Sequence, residues 1–454
     1  MNSYSPIKLK FLAKLKSNPI FVKLRTAIQE GSYGILPPSE SYVEGGNVTL
    51  LRATELKPDL EIDISTSPKV PQNFYNSKRA CVQKHDILLA VKGATIASAK
   101  SVCYVKDEYE NTIINGSIYR MSSKPHVIPK YFAYILDSPL TKRQMKLNLV
   151  ANNAVDYLDS SIIHNLLVPI PPIEIQQQII DQLDKSYAEK KAKEAEAERL
   201  LASVDGLVLD ALGITLPDRE ENTLDKRIFF TKSSEISSGR FDAFYHLQSY
   251  REKEKALHNG KYEVVRLNSI CTKVTDGTHF TPTYQDEGVL FLSVKNVRRE
   301  TLNLRDVKYI SAKEHAELIK RCKPEADDIL LTKVGTIGLA CVIPQNLPEF
   351  SLFVSVALLK PKKDLINSRY LSAFLNCALT KFQSQRAVKG VGVPDWHLEN
   401  IRHLEIPIPP PEVQAEIAEQ VEAIYAEAKR LREEGKETLK QAKLEVEKMI
   451  LGEG

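Results

Sequence analysis

Short apolar runs bounded by Gly, Pro and charged residues alternate along this chain with two long stretches in which apolar positions recur every three to four residues. The runs 48–51, 87–91, 289–294, 329–333 and 353–359 are rich in β-branched and aromatic residues, a pattern that predicts buried strands. The long stretches each follow a Pro-rich turn, 169–172 and 407–411, and continue in Ala, Glu, Lys, Gln and Leu to about Leu212 and Leu451. Strong helix formers behind a Pro suited to a first turn predict two helices of about forty residues. Gly206 interrupts the first late, and Gly435 weakens the second by roughly 1 kcal/mol relative to Ala. Ile179, Leu183 and Tyr187 form one stripe on the first helix, continued by Leu201, Val204 and Val208. Ile417, Val421, Ile424, Tyr425, Ala428 and Leu431 form the stripe on the second. A helix of that length extends roughly 60 Å and is too long to bury its stripe on its own half. The two are therefore expected to pack on each other, antiparallel, as a coiled coil.

Self-comparison shows a tandem repeat. Val22-Lys-Leu-Arg recurs as Val265-Arg-Leu-Asn, and Asp86-Ile-Leu-Leu as Asp328-Ile-Leu-Leu. Tyr131 pairs with Tyr370, and Asp156-Tyr-Leu with Asp395-Trp-His-Leu. Val168-Pro-Ile-Pro-Pro-Ile-Glu-Ile-Gln pairs with Ile406-Pro-Ile-Pro-Pro-Pro-Glu-Val-Gln. The order is kept and the offset drifts only from 243 to 238 residues, which chance matches of short segments do not do. The expected organisation is a globule at 1–170, a helix at 171–214, a polar linker at 215–238, a second globule at 239–408 and a second helix at 409–452. The fold class is α+β, with two α/β globules in tandem and a two-helix spacer.

Composition narrows the classes. With 454 residues, 43% hydrophobic and 26% charged, the chain is of globular type and large enough for more than one domain. The N-terminus lacks the apolar core of a secretory signal, and no apolar run is long enough to span a bilayer, so no membrane association and a cytoplasmic location are expected. Six scattered cysteines, with no C-x-x-C pair and no His at zinc-ligand spacing, are expected to be free thiols rather than metal ligands. A net charge of +4 permits a nucleic-acid partner without requiring one.

Catalytic patterns are missing. The Pro-Pro pairs follow Leu36, Ile170 and Ile408, not the Asn or Asp of an adenine methyltransferase element. The run from Gly93 to Ser101 ends like a phosphate-binding loop, yet Ser98 and Ala99 stand where the cradle needs other residues. The acids at Asp59, Glu61 and Asp63 read as a solvated turn. No catalytic residue, metal site or cofactor is expected.

The repeated I-P-I-P-P-x-E-x-Q turn into a long helix, each copy preceded by Asp-Ile-Leu-Leu, resembles the specificity subunits of type I restriction-modification enzymes. Leu50-Leu-Arg-Ala-Thr-Glu-Leu, Phe291-Leu-Ser-Val-Lys-Asn-Val, Gly335-Thr-Ile-Gly and Ser238-Gly-Arg-Phe-Asp add to the likeness, which covers nearly the whole chain. The resemblance implies that each globule is a target-recognition domain reading one half of an asymmetric bipartite site in double-stranded DNA. It implies a helical spacer that docks modification (methyltransferase) subunits, expected to be two, and through the complex the restriction (motor-nuclease) subunits. The chain itself would be no enzyme. Alternatives are the specificity partner of a related type II-like methyltransferase-nuclease system, an orphan subunit, or a two-globule scaffold that binds proteins and not DNA.

Cations neutralise phosphates and polar side chains read base edges. The candidates for DNA contact in the first half are Arg52, Lys92 and Lys100, with Asn152 and Asn153 as adenine readers. In the second half they are His279, Lys295, Arg298, Arg299, Lys333 and Lys389.

Overall fold

The computed structural model describes residues 6–76, 78–149, 156–217, 228–232, 243–388 and 392–451. They fall into two compact units: residues up to Glu194 together with those from Arg432, and Ala195–Leu431.

In the first unit an antiparallel sheet has the order Ile28–Tyr33, Ile118–Ser123, Ile87–Ala90, Val102–Tyr104. Beside it Val48–Leu51 lies between Lys69–Val70 and Thr112–Ile114, the latter pairing parallel. Phe21–Lys23 pairs with Leu167–Pro169 and closes the globule where the long helix begins. Ile87–Ala90 is buried along its whole length, the burial expected of a central strand whose two faces are both covered.

The second unit repeats this plan strand for strand. Its four-stranded sheet runs Cys271–Asp276, Val356–Pro361, Ile329–Thr332, Ala340–Val342. Val289–Leu292 lies between Lys308–Ile310 and Phe350–Leu352, again with a parallel partner. Val264–Arg266 pairs with Glu405–Pro407. The fold is α+β, built from two tandem copies of one sheet design. The expected strand at 353–359 is two strands, Phe350–Leu352 and Val356–Pro361, because the chain crosses at 353–355 from one sheet to the other.

Buried and half-buried polar side chains lock both copies in the same way. The Gln176 amide accepts from Ile128 N–H and donates to the Pro171 and His126 carbonyls. Gln414 accepts from Asn367 N–H and donates to the Pro409 and Leu365 carbonyls. Gln144 holds both backbone groups of Leu167, and Gln383 those of Glu405. The Tyr131 and Tyr370 hydroxyls donate to the Pro169 and Pro407 carbonyls. Asp86 is paired with Arg120 at 2.8 Å and Asp328 with Lys360 at 2.6 Å.

The long helices are Ile173–Leu212 and Pro411–Leu451. Within the first unit Ile179, Ile180 and Leu183 share a core with Ala442, Val446 and Ile450, and Gln182 donates to Glu445. Within the second, Val204, Val208 and Leu212 share a core with Ile417, Ala418 and Val421. In each unit the opening part of one helix thus meets the closing part of the other, which is an antiparallel pairing. Of the expected packing residues, Ile179, Leu183, Val204, Val208, Ile417, Val421 and Ala428 are buried. Tyr187, Leu201, Ile424, Tyr425 and Leu431 are half-buried.

None of the six cysteines is in a disulfide and none is fully exposed; burial pushes the Cys103 thiol up to about 12. No described helix is long and apolar enough to cross a membrane. Among the described residues no group of three or more His, Cys, Asp or Glu side chains is placed to hold a metal ion.

Candidate nucleic-acid interface

At one end of each four-stranded sheet, several strands terminate together and hand over to loops fixed by matching hydrogen bonds. In the first unit, Gly34 N–H donates to Ile118 O, Ala53 N–H to Ser117 Oγ, Val91 N–H to Ser117 O and Gly93 N–H to Asp156 O. In the second, Gly277 donates to Val356 O, Val294 to Ser355 Oγ, Lys333 to Ser355 O and Gly335 to Pro394 O. A Cβ on Gly34 would lie 2.1 Å from Ile114 O, and one on Gly277 2.0 Å from Leu352 O. Only glycine permits either loop to leave its strand so close to a neighbouring backbone.

This framework also corrects the repeat alignment by one residue. Leu158 N–H bonds to Val91 O as Trp396 N–H bonds to Lys333 O. The counterpart of buried Trp396 is therefore buried Leu158, and Tyr157 matches Asp395.

On equal frames the two ends carry different chemistry. In the first unit Tyr33 packs edge-on against Tyr119 and stacks with Tyr157, while Lys92 Nζ lies 5.6 Å above the Tyr157 ring. Burial, reinforced by the neighbouring Tyr157, raises the Tyr33 hydroxyl and keeps it neutral. In the second unit the equivalent of Tyr33 is Asp276, a buried carboxylate facing Lys333 at 3.7 Å, Arg321 at 3.0 Å and His279 at 3.5 Å. The first rim is aromatic with a cation above it; the second sets two cations, Lys333 and Arg321, and the His279 imidazole around one acid.

The candidates named from sequence divide accordingly. Lys92, half-buried, and Lys100, exposed, lie on the loop after Ile87–Ala90. His279 and Lys295 are exposed on the loops following Cys271–Asp276 and Val289–Leu292. Arg52 lies on the equivalent first-unit loop, with its guanidinium bonded twice to Glu55, which also accepts from Arg52 N–H. Burial pushes the Glu55 carboxyl up, but its bonds from Arg52 and Thr54 outweigh this and leave it below its ordinary range. Lys333 is 4% exposed and held between Asp276 and Asp395. The charges of Arg52 and Lys333 are thus already matched by carboxylates. Arg298 and Arg299 lie on the hairpin of Val297–Arg298 with Thr301–Leu302, whose turn residue Glu300 accepts from Ser372 and Asn376. Arg299 faces Tyr425 of the second long helix. Asn152, Asn153 and Lys389 lie outside the described residues.

Asp276, Arg321 and Tyr33 were not named from sequence. The signal was present, since Tyr33-Gly34 and Asp276-Gly277 stand at the repeat offset.

Residues 8–199 and 259–441 match the family of type I restriction modification DNA specificity domains. The chain belongs to that family, with two copies of its domain. It is 23% identical over 274 residues to the specificity subunit of the type I restriction enzyme EcoBI from Escherichia coli, an alignment covering 60% of this chain and 54% of that one. The chain therefore spans about half the length of that curated relative. A structure solved in work on complex assembly and conformational transition of the type I restriction-modification system aligns over 95% of this chain and 96% of its own, at 14% identity and a TM-score of 0.52. The type I system S subunit from M. genitalium aligns over 95% and 94%, at 12% identity and a TM-score of 0.40.

Proposed function

We propose that this chain is the non-catalytic specificity subunit of a type I restriction-modification complex, acting in the cytoplasm. Each globule reads one half of an asymmetric bipartite site in double-stranded DNA. The observation that carries this reading is the contrast at the strand ends, where one backbone frame, repeated bond for bond, presents an aromatic stack in one copy and two cations and an imidazole around an acid in the other. Conserving a frame while varying what it displays suits two readers of unlike sequences, because phosphate contacts position a protein and base-edge contacts specify. Lys92, Lys100, His279 and Lys295 are the phosphate and base contacts; Arg52 and Lys333 position the loops that carry them. Asn152, Asn153 and Lys389, which lie outside the described residues, remain proposed DNA contacts on sequence grounds alone. The helix pair sets the spacing between half-sites and docks two modification subunits, through which restriction subunits join.

Selection from a random duplex library tests this, using the full chain with its modification subunit. The expected outcome is a bipartite consensus with two different halves and retention that falls steeply with salt. No retention of duplex at low salt would favour a scaffold that binds only proteins.

A further inference from the structure

The loops that leave Gly34 and Gly277 share one feature that the two sequences do not share. Two residues beyond Gly34, Leu36 is 70% exposed; three residues beyond Gly277, Phe280 is 83% exposed. Lone exposed apolar side chains are ordinary. Here, however, the same loop of both copies displays one, and both loops are rigidly founded. Ile35 bridges to Asn115 as Thr278 bridges to Phe353, each in parallel sense.

Each tip is also stiffened in its own way. Leu36 lies over Gly116, where a Cβ would approach its Cγ to 3.0 Å, and is followed by Pro37 and Pro38. Phe280 N–H donates to Thr278 Oγ1 at 3.1 Å. A side chain held out to solvent on a fixed backbone forfeits little entropy when it is covered. The covering surface must tolerate cations, because Lys92 stands at the same strand ends as Leu36, and Arg321 stands beside Phe280. A polyanion with apolar groups at fixed positions meets both demands. In the major groove of DNA the apolar group is the thymine C5-methyl.

Resting on the DNA-reading role proposed above, we infer that Leu36 and Phe280 each pack on a thymine methyl in the major groove, one in each half-site. Each side chain thereby fixes a thymine in the sequence its globule selects.

The test uses the full chain with its modification subunit on the duplex chosen by library selection, with each thymine replaced in turn by deoxyuridine, which lacks the methyl. The wild type is expected to bind about fourfold more weakly when one particular thymine in each half is replaced, the worth of one buried methyl-sized group. Leu36→Ala is expected to abolish that sensitivity in one half and Phe280→Ala in the other, with thermal unfolding unchanged because both side chains are exposed. The inference is overturned if no thymine is sensitive, or if the sensitive thymines remain so in both variants. A wild type that retains no duplex overturns instead the DNA-reading role on which it rests.

Discussion

Gln176 spends one side chain on three backbone groups: the Ile128 N–H and the carbonyls of Pro171 and His126. Each buried backbone group left without a partner costs about 1–3 kcal/mol. Gln176→Leu is therefore expected to lower stability by about 2–4 kcal/mol in urea unfolding, and Gln414→Leu to do the same through its matching bonds. Glu300 supplies a second residue-scale prediction. Burial raises its carboxyl to about 7 against the pull of its bonds from Ser372 and Asn376, with Arg299 lowering it and Glu422 raising it. Between about pH 4.5 and 7 the folded chain holds a proton that the unfolded chain has released, so stability falls as pH rises through that window, by up to about 3 kcal/mol. Glu300→Gln removes this slope: its melting temperature should equal that of the wild type near pH 4 and exceed it at pH 8. Both glutamines are visible in the repeated P-P-x-E-x-Q turn, which marks a helix start by pattern. Their work became visible only when the structure brought 126–128 and 365–367 beside them, a long-range pairing that helix periodicity does not encode.

The long helices show a similar split between what pattern encodes and what packing adds. Spacing of apolar residues located both helices and most of their stripe, because amphipathic periodicity is a local signal. Gly435 reads in sequence only as a weak point. In the structure it is buried, and a Cβ there would lie 3.2 Å from the Lys190 Cα. The pair related to it by the 238-residue offset is Ala197 with Ala428, both buried. Small residues thus stand at equivalent places on both helices and allow close approach. Gly435→Ala sets about 1 kcal/mol of helix propensity against a crowded backbone. Gly435→Leu has no such ambiguity: overpacking should cost about 1–3 kcal/mol, measured as a lowered melting temperature with helical circular dichroism retained. The strand expected at 353–359 failed for a reason of the same kind. An apolar run carries no mark where the chain leaves one buried sheet for another, and only the bonds of Phe353 to Leu292 and of Val354 to Thr278 show the crossing.

At the scale of the whole molecule, the tandem repeat was legible because its offset is nearly constant. The different faces of the two rims were not, since Tyr33 and Asp276 become neighbours of Tyr157 and Lys333 only through the sheet. The proposed division of labour between globules and helices makes its own prediction. The offset that pairs Lys190 with Gly435 places Ala195 opposite Arg430, so one heptad inserted after each of these keeps the apolar seams in phase. Such an insertion lengthens the helix pair by about 10 Å, the rise of roughly three base pairs. If the helices set the separation of the half-sites, library selection on this variant returns the same bases in both halves with a different spacer between them. If the globules alone decided the whole site, the spacer would stay as it was. Replacing residues 1–169 with the first globule of another family member should do the converse, changing one half-site while keeping both the other half and the spacer. A result in which either manipulation alters both bases and spacing would mean that reading and measuring are done by the same residues, and the bond-for-bond repetition of the frame would then need another reason.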